Sequence, residues 1–488
     1  MTDKLLDVAI VGAGLAGIGA AVKLRQAGFD NFKLFEKSAG VSGTWYDNDY
    51  PGAACDVPSH LYCYSFAPNP NWSRVYSPQA EIRKYVEDVV TEHQLTPHIE
   101  FETEIISAEF DEAKALWKIT DKKGQIIYAR FVMWSVSFLG TPHIPKISGL
   151  DSFTGKVFHS ARWDHSVDLS DKNVVIIGSA ASALQIAPAI AKKVKSLTMF
   201  QRTANFVMPR DDRQYSSFEK SIFKKLPFLH RLFRGFLFTR HDKFFFHGMR
   251  PGSLVNKIMR KRALDYLKRK IKDPVLHRKL TADYELGCKR ILISDDYYDM
   301  FNLPNVSLKT AGIDHIDNDH IETVTGEKIA ADVIVMATGF TATSFMPGIE
   351  ITGSNGASLD KWRNDLRALK GLMVTGFPNT FFMLGPNTGL GHSSMILMIE
   401  SQLQYIIQVL ATLKPNEVIE PKIEAVEKYN KQLQADLANT VWATSCQSWY
   451  KREDGFIPTI WPHPTKTYDK IMRKVDWSEV QVSDNSKA

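Results

Sequence analysis

Three continuous apolar runs stand out along this chain, each followed within a few residues by a glycine. They cover residues 7–11, 173–177 and 332–336, and the first two lead into apolar stretches of helical length. A short continuous apolar run is typical of a strand buried on both faces of a parallel sheet, and alternation of strands with helices is typical of α/β domains. The pattern therefore predicts an α/β protein with parallel sheets.

The turn after the first run has the spacing of a dinucleotide-binding loop. Gly12 would permit a tight turn, Gly14 would let the backbone approach a pyrophosphate, and Gly17 would let helix and strand pack closely. The N-terminus of the following helix would offer unpaired N–H groups to phosphate oxygens. Glu36, at the end of the next predicted strand, would accept hydrogen bonds from a ribose hydroxyl. GxGxxG alone also occurs in ordinary turns, but together with the strand, the helix and the acid it predicts a dinucleotide site.

A second loop of this kind begins at Gly178 and Ser179, but alanines replace its second and third glycines. A structural turn without a ligand therefore remains an alternative for this segment. Arg202 and Thr203 follow the next predicted strand, where the ribose of a second dinucleotide would lie. A guanidinium binds phosphate through a fork of N–H donors, whereas a carboxylate would repel it, so Arg202 favours NADPH over NADH.

Length and composition change this interpretation little. The 488 residues suffice for about three domains, and the 44% hydrophobic content is ordinary for a soluble protein. Asp7 and several glycines interrupt the first apolar stretch, which therefore predicts strand, loop and helix, not a signal peptide or a membrane span. The cysteines lack CxxC spacing, so they predict neither a disulfide framework nor a metal site and favour a reducing cytoplasm. They are Cys55, Cys63, Cys288 and Cys446.

One segment of the chain is strongly basic. Residues 210–280 hold twenty Lys and Arg against six Asp and Glu, an excess of +14 that leaves the remainder at −8. Phenylalanines are interleaved with these charges in a pattern typical of helices. The first interpretation is a solvated basic face whose apolar side packs over a substrate cleft, and the alternative is an interfacial surface that meets anionic lipid. Nucleic-acid binding is disfavoured because no recognition fold accompanies the charge.

The most specific motif lies between the two nucleotide loops. Residues 153–164 read FTGKVFHSARWD, and this string resembles the FxGxxxHxxxW signature, followed by Pro or Asp, of the type I Baeyer–Villiger monooxygenases. A GTW–YPG–D stretch at residues 43–56 also matches that family, and an ATG motif at 337–339 matches its whole superfamily. The related flavin-containing monooxygenases usually have a different aromatic residue at the Trp position. The fixed positions of the signature are Phe153, Gly155, His159, Trp163 and Asp164.

The resemblance, which extends from about residue 7 to residue 468, implies a fold. It implies an α/β protein with two dinucleotide-binding, Rossmann-like domains, one for FAD and one for NADP, and a helical insertion in the NADP domain. The positions of these motifs along the chain predict the FAD domain at residues 1–145 and 377–488. They predict the NADP domain at 146–208 and 287–376, and the insertion at 209–286. With these bounds the chain passes from one domain to the other twice, which makes a hinge between them plausible.

The resemblance also implies catalytic residues. Arg290 matches the arginine that stabilises negative oxygen beside the flavin, and Asp56 matches the carboxylate that orients this arginine. Lys289 matches the residue that helps Arg202 to hold the 2′-phosphate. The alternatives are the end of the basic segment for Lys289 and Arg290, and a turn or helix cap for Asp56.

Further matched positions imply binding and conformational roles. Trp45 and Tyr62 match positions next to the flavin. His159 belongs to a linker that couples nicotinamide docking to domain rotation, and a general base or a plain core histidine are the alternatives. Trp163 is equally typical of a packing anchor in that linker. The residues predicted to shape the substrate pocket are Asn387, His392 and Trp449.

The activity implied by the resemblance is insertion of one oxygen atom from O2 next to a ketone carbonyl, with FAD and NADPH as cofactors and no metal. One alternative is a flavin-containing monooxygenase that oxygenates sulfur or nitrogen. The other is a two-dinucleotide flavin reductase without oxygenation, whose disulfide-reductase form is disfavoured by the lack of CxxC. The expected location is the cytoplasm, peripheral at the membrane if the basic segment binds lipid. Fold resemblance does not identify the ketone.

Overall fold

The apolar runs of the sequence form the central strands of two sheets. In this computed structural model, which describes residues 5–137, 140–341 and 345–484, Leu6–Val11 is a strand of the first sheet. Asn173–Ile177 and Val333–Met336 are parallel neighbours in the second sheet. Most side chains of these strands are buried, as the continuous apolar runs predict.

Eight strands among the described residues form the first sheet, around which the first domain is built. Leu6–Val11 pairs in parallel with both Phe32–Phe35 and Ile126–Trp134. Glu350–Thr352 pairs with Ile105–Asp111, so this sheet also includes a strand from the range 287–376. The remaining strands are Ile99–Glu100, Leu116–Asp121 and Thr380–Phe382.

Five parallel strands form the second sheet of the described chain, the basis of the second domain. The signature strand Lys156–His159 lies at one edge, against Val333–Met336. Beyond Asn173–Ile177 follow Ser196–Phe200 and then Val306–Lys309. In smaller sheets, His320–Thr323 pairs with both Ile313–Ile316 and Lys328–Ala330, Val207–Met208 pairs with Leu292–Ile293, and Glu417–Pro421 pairs with Val480–Asp484.

Helices pack on these sheets. Leu15–Gln26 follows the first glycine loop and packs on Met395–Thr412. Met395–Thr412 is also the one helix of the described ranges that is long and apolar enough to cross a membrane, and more than half of it is buried inside the protein. The other α-helices described outside the basic segment are Thr44–Asp47, Gln79–Glu92, Ala181–Ile190, Tyr297–Met300, Leu359–Asp365, Ile423–Leu437 and Thr465–Met472.

The basic segment forms a helical insertion. Its first helix is started by a capping box between Ser216 and Glu219. Met259 and Ala263 pack into the core of the first domain, whereas Tyr266 and Leu267 pack into the core of the second. The insertion therefore bridges the two domains. Its helices are Ser217–Lys225, Pro227–Thr239, Leu254–Lys270 and Pro274–Leu280, with a π-helical turn at Arg240–Phe245 and a short turn at Phe246–Gly248.

Candidate active site

A cavity of about 1720 Å³ is shared by the two glycine loops. Gly12 and Glu36 line it from the first domain, and Gly178 and Arg202 line it from the second. Parallel sheets bind ligands at the carboxyl ends of their strands, which is where all four residues lie. Pockets for one small ligand usually measure about 300–1,000 Å³, so this cavity has room for more than one.

The first loop depends on two glycines. Gly12 has a φ of +101°, and a Cβ atom there would stand 2.7 Å from the carbonyl oxygen of Ser135. A Cβ atom on Gly17 would collide with the carbonyl oxygen of Gly12. Both positions therefore require glycine, and Leu15–Gln26 can begin directly at the cavity with its free N–H groups.

Glu36 braces the same loop. Its Oε2 accepts a hydrogen bond from the backbone N–H of Ala13 at 2.7 Å, and its Oε1 accepts one from Ser38 at 2.9 Å. Each carboxylate oxygen has a second lone pair, so Glu36 can still accept a ribose hydroxyl. The carboxylate thus holds the loop in shape and faces the cavity at the same time.

The second loop has similar constraints with fewer glycines. Gly178 has a φ of +121°, and a Cβ atom there would collide with the carbonyl oxygen of Ala337. The Nδ2 of Asn205 donates to the carbonyl oxygen of Ser179 at 2.9 Å and so braces this loop. The sequence did not point to Asn205, because no motif marks it. The loop and Thr203 line the cavity, which favours a ligand site over a purely structural turn.

Two cations lie together at the second loop. Burial, and next the neighbouring positive charge of Arg202, lower the pKa of Lys289. The Lys289 ammonium also lies over the ring of Tyr284, 4.9 Å from its centre. Two cations in proximity form a site for a phosphate group. The structure therefore brings together Arg202 and Lys289, the pair expected to hold a 2′-phosphate.

Arg290 and Asp56, 234 positions apart, form an ion pair in the cavity wall. Asp56 Oδ2 accepts from Arg290 Nε at 2.8 Å and from the terminal Nη2 at 2.6 Å. The carboxylate of Asp56 is the main cause of a raised pKa of Arg290. The guanidinium is therefore held in one orientation and stays charged.

Aromatic side chains surround this pair. Trp45 Nε1 donates to Tyr62 Oη at 3.0 Å, and both rings line the cavity. Burial raises the pKa of Tyr62, so its hydroxyl remains protonated. Tyr450, a residue the sequence did not single out by itself, is buried beside Arg290, and burial raises its pKa too.

A glutamine joins the domains across the cavity. Gln185, in the second-domain helix Ala181–Ile190, accepts from Tyr50 Oη at 3.0 Å and donates to the carbonyl oxygen of Ala54 at 2.8 Å. A Cβ atom on Gly52 would collide with the backbone oxygen of Gln185, so the segment can approach only through glycine. Sequence reasoning missed Gln185 because nothing nearby in the chain marks a contact 131 positions away.

His159 has both ring nitrogens occupied. The backbone N–H of Ala161 donates to Nδ1 at 3.1 Å, and Nε2 lies 3.0 Å from the carbonyl oxygen of Gly339. Because an N–H can only donate and a carbonyl can only accept, the ring is the neutral tautomer with hydrogen on Nε2. Burial also lowers its pKa. Because both ring nitrogens are engaged, this geometry disfavours the general-base alternative. The hydrogen bond to Gly339 connects the signature to the ATG motif.

The remaining signature residues support this edge of the second sheet. The ring of Trp163 meets that of Phe158 edge-on at 4.9 Å. A Cβ atom on Gly155 would collide with the backbone oxygen of Asp332, and Phe153 packs against the core of the second domain. Asp164 accepts from the hydroxyl of Ser166 at 2.6 Å, outside the cavity wall.

Of the three residues predicted to shape the substrate pocket, one lines the cavity and two do not. Trp449 lines the cavity, with its ring 4.2 Å from that of Tyr450. Asn387 instead lies behind the wall, where its Nδ2 donates to the carbonyl oxygen of Ile457 at 2.7 Å. His392 is also behind it, buried with Nε2 3.6 Å from Asp242 Oδ1. Asn387 and His392 therefore support the pocket without lining it.

The cysteine prediction was wrong for one pair. The structure joins Cys288 to Cys446 in a disulfide, whereas Cys55 and Cys63 are free and buried. The two bonded residues are 158 positions apart, and sequence spacing carries no information about their proximity.

Comparisons with known proteins agree with this architecture. The family model of pyridine nucleotide-disulphide oxidoreductases matches residues 9–218. A Baeyer-Villiger monooxygenase of Streptomyces coelicolor is 42% identical over 492 residues, which cover 97% of this chain and 92% of the relative. Closed cyclohexanone monooxygenase superposes with a TM-score of 0.89 at 27% identity, over 99% of this chain and 100% of that one.

A complex of OTEMO with FAD and NADP superposes with a TM-score of 0.88 at 26% identity, covering 98% of this chain and 99% of that one. These structures confirm the predicted fold of two dinucleotide-binding domains. The chain belongs to the Baeyer–Villiger monooxygenase family of flavoprotein monooxygenases.

Proposed function

We propose that this protein is an FAD-containing, NADPH-dependent Baeyer–Villiger monooxygenase that inserts one oxygen atom from O2 next to a ketone carbonyl and releases an ester or lactone. The observation that supports it best is the Arg290–Asp56 ion pair in a cavity shared by two dinucleotide loops. A reductase would need both loops but would have no use for a fixed cation between them.

The residues present fit both cofactors. The backbone at Gly12 and Gly14, where side chains are absent, would hold the pyrophosphate of FAD at the start of a helix. Arg202 and Lys289 would hold the 2′-phosphate of NADPH. When bound and reduced by NADPH, FAD supplies the two-electron activation of O2.

Arg290 has the properties that oxygen insertion requires. Attack on a ketone carbonyl places negative charge on the carbonyl oxygen, and a preorganised cation stabilises that charge more than the neutral ketone. Asp56 engages Arg290 through one oxygen only, at Nε and one terminal nitrogen, which fixes the plane of the guanidinium. Trp449 contributes an apolar wall that limits access of water.

The proposal is tested by product analysis under 18O2 with cyclic, aryl and long-chain ketones and with an aryl thioether. We expect an ester or lactone that carries one 18O atom. Sulfoxide as the sole product would favour the sulfur- or nitrogen-oxygenating alternative. Oxidation of NADPH with hydrogen peroxide as the only product across the panel would favour the reductase.

We also propose that the enzyme is cytoplasmic and binds anionic membrane surfaces through the helical insertion. On helix Pro227–Thr239, the side chains of Phe228, Leu232 and Phe236 are 53%, 66% and 59% exposed. They are four positions apart and therefore form one stripe, while His230 and Leu237 face inward and are buried.

An exposed apolar stripe is typical both of a lipid-binding surface and of a contact with a second copy of the chain. Here the charge of the insertion favours lipid. Residues 210–280 of the insertion have an excess of +14, so two copies placed face to face would repel each other. Each Lys or Arg near an anionic bilayer contributes about 1 kcal/mol of attraction. An amphipathic helix with a basic surround is the arrangement that lies in a membrane interface.

Vesicle co-sedimentation tests this surface. We expect the protein to sediment with phosphatidylglycerol vesicles but not with phosphatidylcholine vesicles, and the triple variant Phe228→Ser, Leu232→Ser, Phe236→Ser to bind at least about tenfold more weakly. Equal recovery in the supernatant with and without anionic lipid would contradict the proposal. So would a dimer in sedimentation velocity that the triple variant abolishes, because it would assign the stripe to self-association.

A further inference from the structure

A disulfide joins two chain segments that meet at the guanidinium of Arg290. Cys288 directly precedes Lys289 and Arg290, and it is bonded to Cys446 across a Cα–Cα distance of 6.4 Å. Cys446 stands in the loop of residues 445–450, which brings Trp449 to the cavity wall. The disulfide therefore attaches the substrate side of the cavity to the segment that holds Arg290.

The loop has few other buried anchors. Ser445, Gln447 and Trp449 are exposed, and only Tyr450 is buried, beside Arg290, with its carbonyl oxygen accepting from Thr459 Oγ1 at 3.0 Å. A second contact lies just outside the loop, where a Cβ atom on Gly287 would stand 3.0 Å from the Val441 side chain. A segment with few buried contacts opens easily, so the disulfide contributes much of what holds this loop in place.

The other two cysteines are placed differently. Cys55 and Cys63 are buried and free, and burial raises the pKa of both thiols, which makes them poor nucleophiles. Cys446 is only half-buried, so it is nearer to solvent than the other three cysteines, which are buried. In a reducing cytoplasm, a disulfide of this kind is usually formed and broken during function and is not a permanent crosslink.

We propose that Cys288 and Cys446 form a latch that hydrogen peroxide closes and that positions the 445–450 loop over Arg290. The inference rests on the proposed function, because hydrogen peroxide is what a flavoprotein monooxygenase releases when NADPH and O2 are consumed without oxygen transfer to substrate. With the latch closed, the loop covers the cavity and excludes water, and less peroxide is lost. With the latch open, the loop moves away and the loss rises.

The chemistry of closure balances. The Cys446 thiolate attacks one oxygen of hydrogen peroxide, the O–O bond breaks, and after protonation a sulfenic acid and one water result. The Cys288 thiol then attacks the sulfenic sulfur, the S–O bond breaks, and the disulfide and a second water form. Two thiols lose two electrons in total, and one peroxide gains them. A dithiol reverses the reaction by exchange.

The holoenzyme is compared in three forms: treated with hydrogen peroxide, reduced with dithiothreitol, and as the Cys288→Ser, Cys446→Ser variant. Alkylation and mass spectrometry should find two thiols in the first form and four in the second. Trypsin should cut after Lys451 or Arg452 at least about tenfold faster in the reduced protein and in the variant. Both should release more hydrogen peroxide per NADPH, whereas Cys63→Ser should behave as wild type.

The outcomes separate the latch from the proposed function. Four alkylated thiols after peroxide treatment, or equal tryptic cleavage of oxidised and reduced protein, would overturn the latch even if esters are formed. Lack of oxygenated product from every ketone would overturn the proposed function and leave the thiol count and the cleavage rates as they are. If the double variant does not fold, the comparison of oxidised and reduced wild type still decides.

Discussion

At the scale of single residues, the candidate site depends on one carboxylate oxygen. Both hydrogen bonds from Arg290 end on Asp56 Oδ2, so the guanidinium cannot rotate without losing both. A cation held in this way costs no reorganisation when negative charge develops on the substrate, and that is the condition under which electrostatic stabilisation is largest. On the proposed function, Asp56 would therefore act through Arg290 and would need no proton transfer of its own.

Substitution of Arg290 tests this argument. We expect Arg290→Ala to lower the rate of ester formation by about 10²–10³-fold, because one preorganised charge donor is lost. Reduction of the flavin by NADPH, measured by stopped-flow absorbance without O2, should persist. Arg473→Ala is a matched control, since Arg473 contacts Asp469 Oδ2 through Nε at 3.0 Å and Nη2 at 2.7 Å on the surface. Full product formation by Arg290→Ala would remove Arg290 from the chemistry.

Arg202 and Lys289 lead to a prediction on cofactor choice. Loss of the Arg202 guanidinium removes hydrogen bonds to a 2′-phosphate, which are worth about 1.5–3 kcal/mol when a charge is involved. We expect Arg202→Ala to raise KM for NADPH about tenfold to a hundredfold and to leave KM for NADH nearly unchanged. NADH, which lacks the phosphate, is the internal control. An equal rise for both cofactors would mean that Arg202 supports the loop and not the phosphate.

The residues that sequence reasoning found and missed differ in one physical respect. Gly12, Glu36 and Arg202 follow strands directly, and strand ends of a parallel sheet lie at its ligand-binding edge whatever the details of packing. Gln185 and Cys446 depend instead on contacts between distant segments, which no local pattern encodes. The same limit explains why Asn387 and His392 were expected in the pocket wall but lie behind it. The roles of the catalytic residues remain predictions.

At the scale of elements, the strand–loop–helix unit at the first nucleotide site leaves almost no space for side chains at its glycines. A Cβ atom on Gly17 would collide with the carbonyl oxygen of Gly12, which is backbone and cannot move aside. We expect Gly17→Ala to lower FAD content at least about tenfold, because overpacking of this kind costs about 1–3 kcal/mol or more. Absorbance of the purified protein at the flavin band measures it.

A second glycine provides the control for this prediction. Gly235 lies inside helix Pro227–Thr239 and a Cβ atom there would meet nothing within 4 Å. Gly235→Ala should keep full FAD content and stabilise the protein by up to about 1 kcal/mol, since alanine is the better helix former. Wild-type FAD content in Gly17→Ala would show that the loop is not the FAD site.

The insertion docks on the first domain through two buried histidines. His60 Nδ1 and His230 Nε2 are 2.7 Å apart, and Arg234 donates to the carbonyl oxygen of His60 at 3.0 Å. Burial is the main cause that lowers the pKa of His60 to about 3, and the charge of Arg234 adds to it. In the unfolded chain His60 has its ordinary pKa of about 6.5.

This pair makes stability depend on pH. Between pH 6.5 and about 3 the unfolded chain binds a proton at His60 and the folded protein does not, so acid favours unfolding in that window. We expect His60→Gln to remove a slope of up to about 1.4 kcal/mol per pH unit from the free energy of unfolding between pH 6 and 4.5. His277→Gln, on another helix of the insertion, should keep the wild-type slope. Equal slopes in urea titrations of wild type and His60→Gln would contradict this.

Strands also differ in how well the sequence indicated them. The buried strands Leu6–Val11 and Asn173–Ile177 have continuous apolar patterns and were predicted close to their observed bounds. Strand Glu350–Thr352 has three residues, of which only the middle one is buried, so it has no periodic signal. For that reason the sequence did not indicate this strand of the first sheet.

At the scale of the whole molecule, two domains must hold two dinucleotides against each other across one cavity. Contacts across the cavity contribute to the stability of the docked arrangement of the two domains, and we expect its population to fall when they are lost. Gln185 is central among these contacts, because it accepts from Tyr50 Oη and exchanges hydrogen bonds with both backbone groups of Ala54. It thereby connects the second-domain helix to the segment that leads to Asp56.

Loss of this connection should reduce the docked population. Gln185→Ala removes about 1–3 kcal/mol of hydrogen bonding and leaves the Ala54 carbonyl without its partner. The apparent affinity of a ligand falls with the fraction of protein in the competent arrangement, so we expect the Kd of NADP to rise about tenfold and amide exchange at residues 50–56 to accelerate. Gln408→Ala, which removes two solvent-exposed hydrogen bonds of helix Met395–Thr412, is the control. If exchange at 50–56 stays at the wild-type rate while NADP binding weakens, Gln185 contacts the cofactor directly and does not act through domain docking.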